Sequence, residues 1–182
     1  MAASGRPVAR VGPGWHHGPV KTRSSTLTLT GGELKFDVLT DSGHTIPIDS
    51  DGITGARPTE LLGVALAGCT SMDVISILRK KRQAIDRYEV QVTSHQVDDP
   101  PHNFVLVEVE HRFDGEAVDP AAVARAIELS CAKYCSVGVT LAAGTVEVRN
   151  RYRIRQPDGT EITGEVAPAG PGMAPEVLAA RV

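Results

Sequence analysis

The sequence predicts an α+β fold in which a mainly antiparallel sheet packs against a long buried central helix and a second helix. Three observations lead to this prediction. The hydrophobic pattern alternates every second residue in some segments and follows the helical period in others. The strand-like segments come in pairs separated by short turns, as antiparallel neighbours do. Pro58 and Pro120 each stand where a helical segment begins, and the first turn of a helix accepts proline.

The first elements are three strands. Residues 26–30 alternate threonine and leucine, Gly31 and Gly32 supply a turn, and residues 33–40 resume the alternation. This arrangement is typical of a β-hairpin. Residues 44–48 are predicted to form a third strand, and this strand should lie at a sheet edge because Pro47 has no N–H to donate.

A long helix is predicted over residues 59–82. Apolar residues occupy most of its faces, so we expect it to be largely buried. The basic run at residues 79–82 complements the negative end of the helix dipole. It also stops the apolar stretch short of the ~18 residues that a membrane span needs. The net charge of -3 makes solvation the favoured role of this run, so neither a membrane nor a nucleic-acid partner is expected.

The remaining elements follow in order. Alternation from residue 88 to 94 predicts a strand, a turn follows at 98–101, and residues 104–113 return as its partner. Asp119 and Pro120 mark the start of the second helix, which should continue to about Lys133. Residues 146–154 are predicted to form the last strand.

The chain of 182 residues is expected to contain one domain, residues 25–156. Residues 1–24 are interpreted as a flexible leader, although their basic composition is also typical of an organelle transit peptide. Residues 157–182, rich in Pro, Gly and Ala, are interpreted as a tail without a core of its own. Three cysteines are too few for a secreted disulfide framework, so a cytoplasmic location is expected.

Two cysteines suggest redox chemistry. Cys69 ends the apolar stretch 61–69, and Cys135 follows the second helix, where local movement is easy. A thiolate that attacks a peroxide becomes a sulfenic acid, and a second thiol can condense with that acid to form a disulfide. A buried cysteine is more often an inert core residue, and this alternative remains open.

A metal site is a further alternative. Cys131 and Cys135 are four residues apart and would share one face of a continued helix, with His44, His95 or His102 as additional ligands. The sequence lacks the Cys-x-x-Cys spacing that makes such a prediction specific, so we expect no bound metal.

The segment from Pro58 to Lys80 resembles the central helix of the OsmC/Ohr family, the osmotically inducible and organic hydroperoxide resistance proteins. Residues 126–130 and 133–137, around Cys135, resemble the second helix and second cysteine of that family. Ser42-Gly43-His44 and Ile48-Asp49 are similar to its less characterised branch. The resemblance covers roughly residues 27–154.

The resemblance implies an intertwined homodimer with active sites at the subunit interface. It also implies a thiol peroxidase that reduces organic hydroperoxides, with Cys69 as the peroxidatic and Cys135 as the resolving residue. An external dithiol, including lipoylated proteins, would supply electrons, and no cofactor would be bound. Cys131 stands where the family motif does not require cysteine.

Three residues are expected to support the reaction, of which Arg57 is chosen only by its nearness to the start of the helix. The family places a glutamate ten residues before its peroxidatic cysteine, where this chain has Thr59. Glu60, Arg57 and His44 are therefore the candidates for positioning the thiol. Because Glu60 is displaced by one residue, a dimeric redox-sensing or ligand-binding protein with little turnover is the alternative function.

Overall fold

The computed structural model describes residues 21–31, 34–144 and 146–166. It confirms the α+β class. The chain divides into two compact units, Met1–Gly55 and Ala56–Val182, where the sequence predicted one domain. The physical reason is that the strands form two separate sheets, one within each unit. Most of the predicted leader, residues 1–20, lies outside the described residues.

The N-terminal unit is a three-stranded antiparallel sheet. Its strands are β1 (Ser25–Leu29), β2 (Lys35–Thr40) and β3 (Thr45–Asp49), paired in that order. Gly31 after β1 has a φ of +103°, which a glycine adopts without strain. The strand that contains Pro47 lies at an edge of this sheet, as predicted. All five residues of β1 are exposed.

The second unit alternates helices with strands. Its elements are α1 (Pro58–Lys80), β4 (Arg87–Gln96), β5 (Phe104–Asp114), α2 (Pro120–Leu129), a π-helical turn (Ser130–Tyr134), α3 (Ser136–Ala142), β6 (Glu147–Arg155) and β7 (Glu161–Val166). The strands form one sheet in the order β4-β5-β6-β7. Only the pairing of β5 with β6 is parallel within this described sheet, so the sheet is mainly antiparallel.

The helices cover one face of this sheet. Alternate residues of β5 point toward them, and Val107, Val109, His111 and Phe113 are almost completely buried. Phe113 joins Val74 and Leu78 of α1 and Val123 and Ile127 of α2 in one apolar cluster. A second cluster joins Leu66, Val107, Val109, Cys135, Ala142 and Val148. The core of the second unit therefore extends from the middle of α1 to α3 and β6.

The prediction that α1 is largely buried is wrong for a single chain. Its buried residues are Leu66, Thr70, Val74 and Leu78, which recur every four residues and form one stripe. Val64 is 63% exposed and Met72 is 68% exposed. The apolar residues on the other faces of α1 have little cover from their own unit.

By length and composition, α1 could also cross a membrane, with a mean hydropathy of 1.9 over 18 residues. The core helix of a soluble protein meets the same criteria, so this is weak evidence for a span. Two polar side chains in its middle, Thr70 and Asp73, bond to Ser130 within the unit. These bonds connect α1 to the start of the π-helical turn of the same unit.

The second helix reaches its predicted end near Lys133, but its last five residues form a π-helical turn. Regular α2 stops at Leu129, and the chain continues through the π-helical turn to Cys135, where the predicted continuous helix would have run to about Lys133. In this turn the N–H of Cys135 donates to the carbonyl of Ser130 over 2.9 Å. The third helix, α3, is absent from the prediction because its seven residues are too few for a clear periodic pattern.

The predicted tail contains a strand. Residues 161–166 form β7, which pairs antiparallel with β6, and Val166 is buried in the core. The proposed boundary after residue 156 is therefore wrong. The rest of the predicted tail, residues 167–182, lies outside the described residues.

Candidate active site

Cys69 lies in the middle of α1. The helix is continuous from Pro58 to Lys80, so Cys69 is far from the N-terminal dipole that activates some cysteines. Its side chain is partly exposed. Asp73 follows it by four residues and therefore shares its face of the helix.

Cys135 is positioned by the π-helical turn. Residues five apart lie about 140° apart around an α-helix, and the wider π turn brings them closer to one face. Both Ser130 and Cys135 consequently point into the unit and are buried. Cys135 also caps α3, because its Sγ accepts the N–H of Gly138 over 3.3 Å. A Cβ at position 138 would lie 3.4 Å from this sulfur, so the glycine leaves room for it.

The two sulfur atoms come together. Sγ of Cys69, Sγ of Cys135 and a carboxylate oxygen of Asp73 all lie within 4.8 Å of one another. All three cysteines are free thiols in this structure. Since a disulfide bond is about 2 Å long, a modest movement would join Cys69 to Cys135. The arrangement can therefore store two oxidising equivalents as a disulfide.

The two buried thiols hold their protons. Burial raises the pKa of Cys135 to about 12, and the neighbouring sulfur of Cys69 adds to the effect. Burial also raises the pKa of Cys131 to about 11. The negative charge of Asp73 contributes to both shifts. At neutral pH Cys135 and Cys131 are therefore thiols rather than thiolates.

A small polar network borders the sulfurs. The hydroxyl of Ser130 donates to Oδ2 of Asp73 over 3.1 Å and lies 3.1 Å from Oγ1 of Thr70. Ser130 and Thr70 are buried, and Asp73 is partly exposed. Within the described part of the chain, no lysine, arginine or histidine forms an ion pair with Asp73. Sequence reasoning missed Asp73, although its four-residue spacing from Cys69 was available as a signal.

A narrow pocket lies beside Cys135 and Cys131. Its volume of about 20 Å³ suffices for a single water molecule. Leu66, Ala142 and Val148 make its wall mostly apolar, and Thr70 and Asn150 supply polar groups. The pocket is too small to hold an organic molecule.

Two of the predicted supporting residues, Arg57 and Glu60, lie at the start of α1 and interact with each other there. Oε2 of Glu60 accepts the backbone N–H of Arg57 over 2.9 Å, and Oε1 of Glu60 pairs with the Arg57 guanidinium over 3.3 Å. This interaction caps the start of α1. At 1.5 Å per residue, Glu60 and Arg57 precede Cys69 by about 14 and 18 Å along the helix. His44 lies in the turn before β3 of the N-terminal unit.

The alternative metal site is not assembled as the sequence suggested. Among the residues that the structure describes, one group has the spacing for a metal ion, and it consists of Cys69, Asp73 and Cys135. It includes neither Cys131 nor a histidine. Two sulfurs and one oxygen leave a tetrahedral site incomplete, so a closed structural zinc site is not formed by one chain.

The family model described as OsmC-like protein matches residues 49–149, which include both sulfurs and most of the second unit. The chain belongs to the OsmC-like family. This confirms the resemblance read from the residues around Cys69 and Cys135.

Three known proteins illustrate what this chain is similar to. Protein YhfA of Escherichia coli K12 is 37% identical over 114 residues, which cover 62% of this chain and 84% of YhfA. The crystal structure of an OsmC-like protein from Mycoplasma pneumoniae superposes with a TM-score of 0.62 at 15% identity, covering 75% of this chain and 97% of that one. An organic hydroperoxide resistance protein from Elizabethkingia anophelis gives a TM-score of 0.51 at 18% identity, with 75% and 96% covered. At these identities the two structures establish a shared fold.

Proposed function

We propose that this OsmC-like protein is a thiol peroxidase that reduces organic hydroperoxides in oxidative-stress defence. The observation that supports the proposal is the pair of sulfurs, Cys69 and Cys135, within 4.8 Å of each other. The shared fold with an organic hydroperoxide resistance protein agrees with it. A reducing compartment such as the cytoplasm suits the reaction, because the cycle depends on a supply of dithiol.

The chemistry takes three steps. The sulfur of Cys69 attacks one oxygen of ROOH, the O–O bond breaks, and Cys69 becomes a sulfenic acid while ROH leaves. The sulfur of Cys135 then displaces the sulfenic hydroxyl as water and forms the Cys69–Cys135 disulfide. An external dithiol reduces this disulfide and is itself oxidised to a disulfide. A lipoylated protein is the reductant that the family implies.

The roles of the two cysteines follow from their exposure. Cys69 is partly exposed and can meet a hydroperoxide, whereas Cys135 is only 1% exposed. Burial raises the pKa of Cys135 to about 12, so it stays protonated and is a poor nucleophile toward a hydroperoxide. Cys69 is therefore the attacking residue and Cys135 the resolving one.

Turnover of cumene hydroperoxide with dihydrolipoamide tests the proposal. We expect the wild-type protein to turn over, Cys69→Ser to be inactive, and Cys135→Ser to stop after one equivalent as a sulfenic acid that dimedone traps. Cys131→Ser is the matched control and should retain activity, since Cys131 is outside the pair. EDTA should leave the rate unchanged because the proposed cycle uses no metal. Turnover by Cys69→Ser would refute the proposal.

A redox-sensing protein with slow turnover is the second candidate. Its support is the position of Arg57 and Glu60, which cap α1 instead of contacting Cys69. Intact mass after one equivalent of hydroperoxide separates the two functions. A Cys69–Cys135 disulfide that dihydrolipoamide fails to recycle indicates the sensor, and rapid recycling indicates the peroxidase.

We further propose that the protein is a homodimer. A groove of about 450 Å³ lies between α1 and β4, and the polar residues Thr59, Glu60, Ser94 and Gln96 line it together with Val64, Val92 and Phe104. The exposed apolar side chains of α1 are the support for the proposal. Apolar surface of this kind on a soluble chain usually marks an interface. A bound small ligand is the other way to cover the groove, and it belongs to the ligand-binding alternative.

A further inference from the structure

Asp73 has no assigned role in the cycle above. Its carboxylate lies within 4.8 Å of both reacting sulfurs, one helical turn beyond Cys69. The hydroxyl of Ser130 donates a 3.1 Å hydrogen bond to Oδ2 of this carboxylate. The geometry points to Asp73 as the proton carrier of the peroxide-reducing step: it accepts the proton of the Cys69 thiol and delivers it to the departing alkoxide oxygen. This inference rests on the proposed peroxidase function.

The peroxide-reducing step needs a proton carrier at two points. A thiol must lose its proton to attack, because the thiolate is the nucleophile. The alkoxide that leaves a hydroperoxide is strongly basic and must gain a proton as the O–O bond breaks. One carboxylate beside the sulfur meets both needs, and Asp73 returns to its starting state when ROH departs. The balance is Cys69–SH plus ROOH giving Cys69–SOH plus ROH, with no net change in Asp73.

A structural role alone does not account for a carboxylate here. A negative charge disfavours thiolates, and Asp73 contributes to the raised pKa values of Cys131 and Cys135. An asparagine of the same size would accept the same hydrogen bond from Ser130 without that penalty. Within the described residues the charge also has no salt-bridge partner that would explain it. Proton transfer is a function that a carboxylate performs and an amide does not.

Ser130 is a positioning residue in this scheme. It is completely buried at the start of the π-helical turn and lies between Thr70 and Asp73. Its hydroxyl can hold one carboxylate oxygen and leave the other free to face the sulfurs. The same turn places Cys135, so the proton carrier and the resolving thiol are positioned by one short segment.

Two reagents applied to the same thiol provide the test. Cumene hydroperoxide needs a proton for its leaving group, whereas iodoacetamide releases iodide, which needs none. In a Cys131→Ser background we measure the modification rate of Cys69 with each reagent by intact mass. For Asp73→Asn we expect the hydroperoxide rate to fall about 100-fold, within the range of general acid–base catalysis. The iodoacetamide rate should change far less, because solvent can take up the thiol proton before the attack and the departing iodide needs no proton.

Two further variants and the wild-type protein distinguish a wrong role for Asp73 from a wrong proposed function. Asp73→Glu should recover much of the hydroperoxide rate, and Ser130→Ala should lower it less than Asp73→Asn does. Equal changes with both reagents in Asp73→Asn would overturn the inference while leaving the peroxidase function intact. A wild-type protein that alkylates but does not react with hydroperoxide would overturn both. If Asp73→Asn does not fold, the wild-type protein provides the test through the ratio of its Cys69 modification rates in H₂O and D₂O. This ratio should be larger for hydroperoxide than for iodoacetamide. Equal ratios overturn the inference.

Discussion

Tyr88 and His111 form a buried polar pair on the inner face of the sheet. The Tyr88 hydroxyl and Nδ1 of His111 share a hydrogen bond of 2.8 Å, and the Tyr88 ring stacks on Phe113 at 4.7 Å. His111 is fully buried, and no partner bonds its Nε2 among the described residues. Burial lowers the pKa of His111 to about 4, and the Asn150 side chain opposes this shift only in part. The imidazole is therefore neutral in the native protein.

This buried histidine predicts a loss of stability in mild acid. In the unfolded chain His111 has its ordinary pKa of 6.5, so between pH 6.5 and about 4 the unfolded state binds a proton that the native state does not. The free energy of unfolding should be unaffected by this group above pH 6.5. Below it, the histidine lowers that free energy by up to about 1.4 kcal/mol per pH unit.

Urea midpoints measured across this pH range test the prediction. His111→Gln is the control variant, because glutamine keeps a polar side chain but does not titrate. Its stability should depend less on pH between 6.5 and 4 than that of the wild type. Identical slopes in the two proteins would show that His111 is not the cause.

At the candidate site, the sequence predicted the cysteines better than their surroundings. Cys69 and Cys135 stand in local motifs, so their pairing was predictable from the chain alone. Asp73 and Ser130 come together across 57 positions, and their contact depends on how the π-helical turn meets α1. Arg57 was chosen because it is near Cys69 in the sequence. The chain from residue 58 to residue 69 is helical, so the two lie about 18 Å apart along the axis.

Among the elements, β7 shows why a short alternating pattern can be missed. Its inward positions are Ile162, Gly164 and Val166, and the glycine interrupts the apolar alternation. The structure explains that glycine, since a Cβ there would come within 2.5 Å of the Tyr152 ring. The residue that hides the strand in the sequence is thus required by its packing against β6.

Val166 should contribute measurably to stability although it belongs to the predicted tail. It is buried in the cluster that contains Val123, Ile127 and Ile154. Val166→Ala removes two methyl groups from this core, and we expect a loss of about 2 kcal/mol. Chemical denaturation measures it, with the exposed Thr163→Ala on the same strand as control. If the two variants are equally stable, β7 is not part of the core in solution.

For the whole molecule, the distribution of apolar surface matters most. α1 leaves Val64 and Met72 exposed, and the N-terminal unit leaves Leu27, Leu29 and Leu39 at least half exposed. Neither unit has enough cover of its own for these side chains. The apolar composition of α1 predicted a largely buried helix, and within one chain only a single stripe of it is buried. One sequence does not reveal whether such a helix is covered by its own chain or by another one.

The proposed homodimer predicts the effect of one charge. Met72→Glu places a carboxylate on the exposed apolar face of α1, where a second subunit would have to desolvate it. We expect light scattering to show a dimer for the wild type at micromolar concentration and a shift toward monomer for the variant. Arg125→Glu, on the exposed side of α2, is the charge-changing control and should remain dimeric. A wild-type monomer would contradict the proposal.

The position of Cys135 at the cap of α3 has a consequence for stability. A Cys69–Cys135 bond would join α1 to α3 and close a loop of about 66 residues, which in chain-entropy terms destabilises the unfolded state by about 4 kcal/mol. Oxidation in the proposed cycle would then raise the free energy of unfolding while it consumes a hydroperoxide. Each turnover would alternate a less stable reduced chain with a more stable oxidised one, so the redox state of the protein would also set its resistance to unfolding.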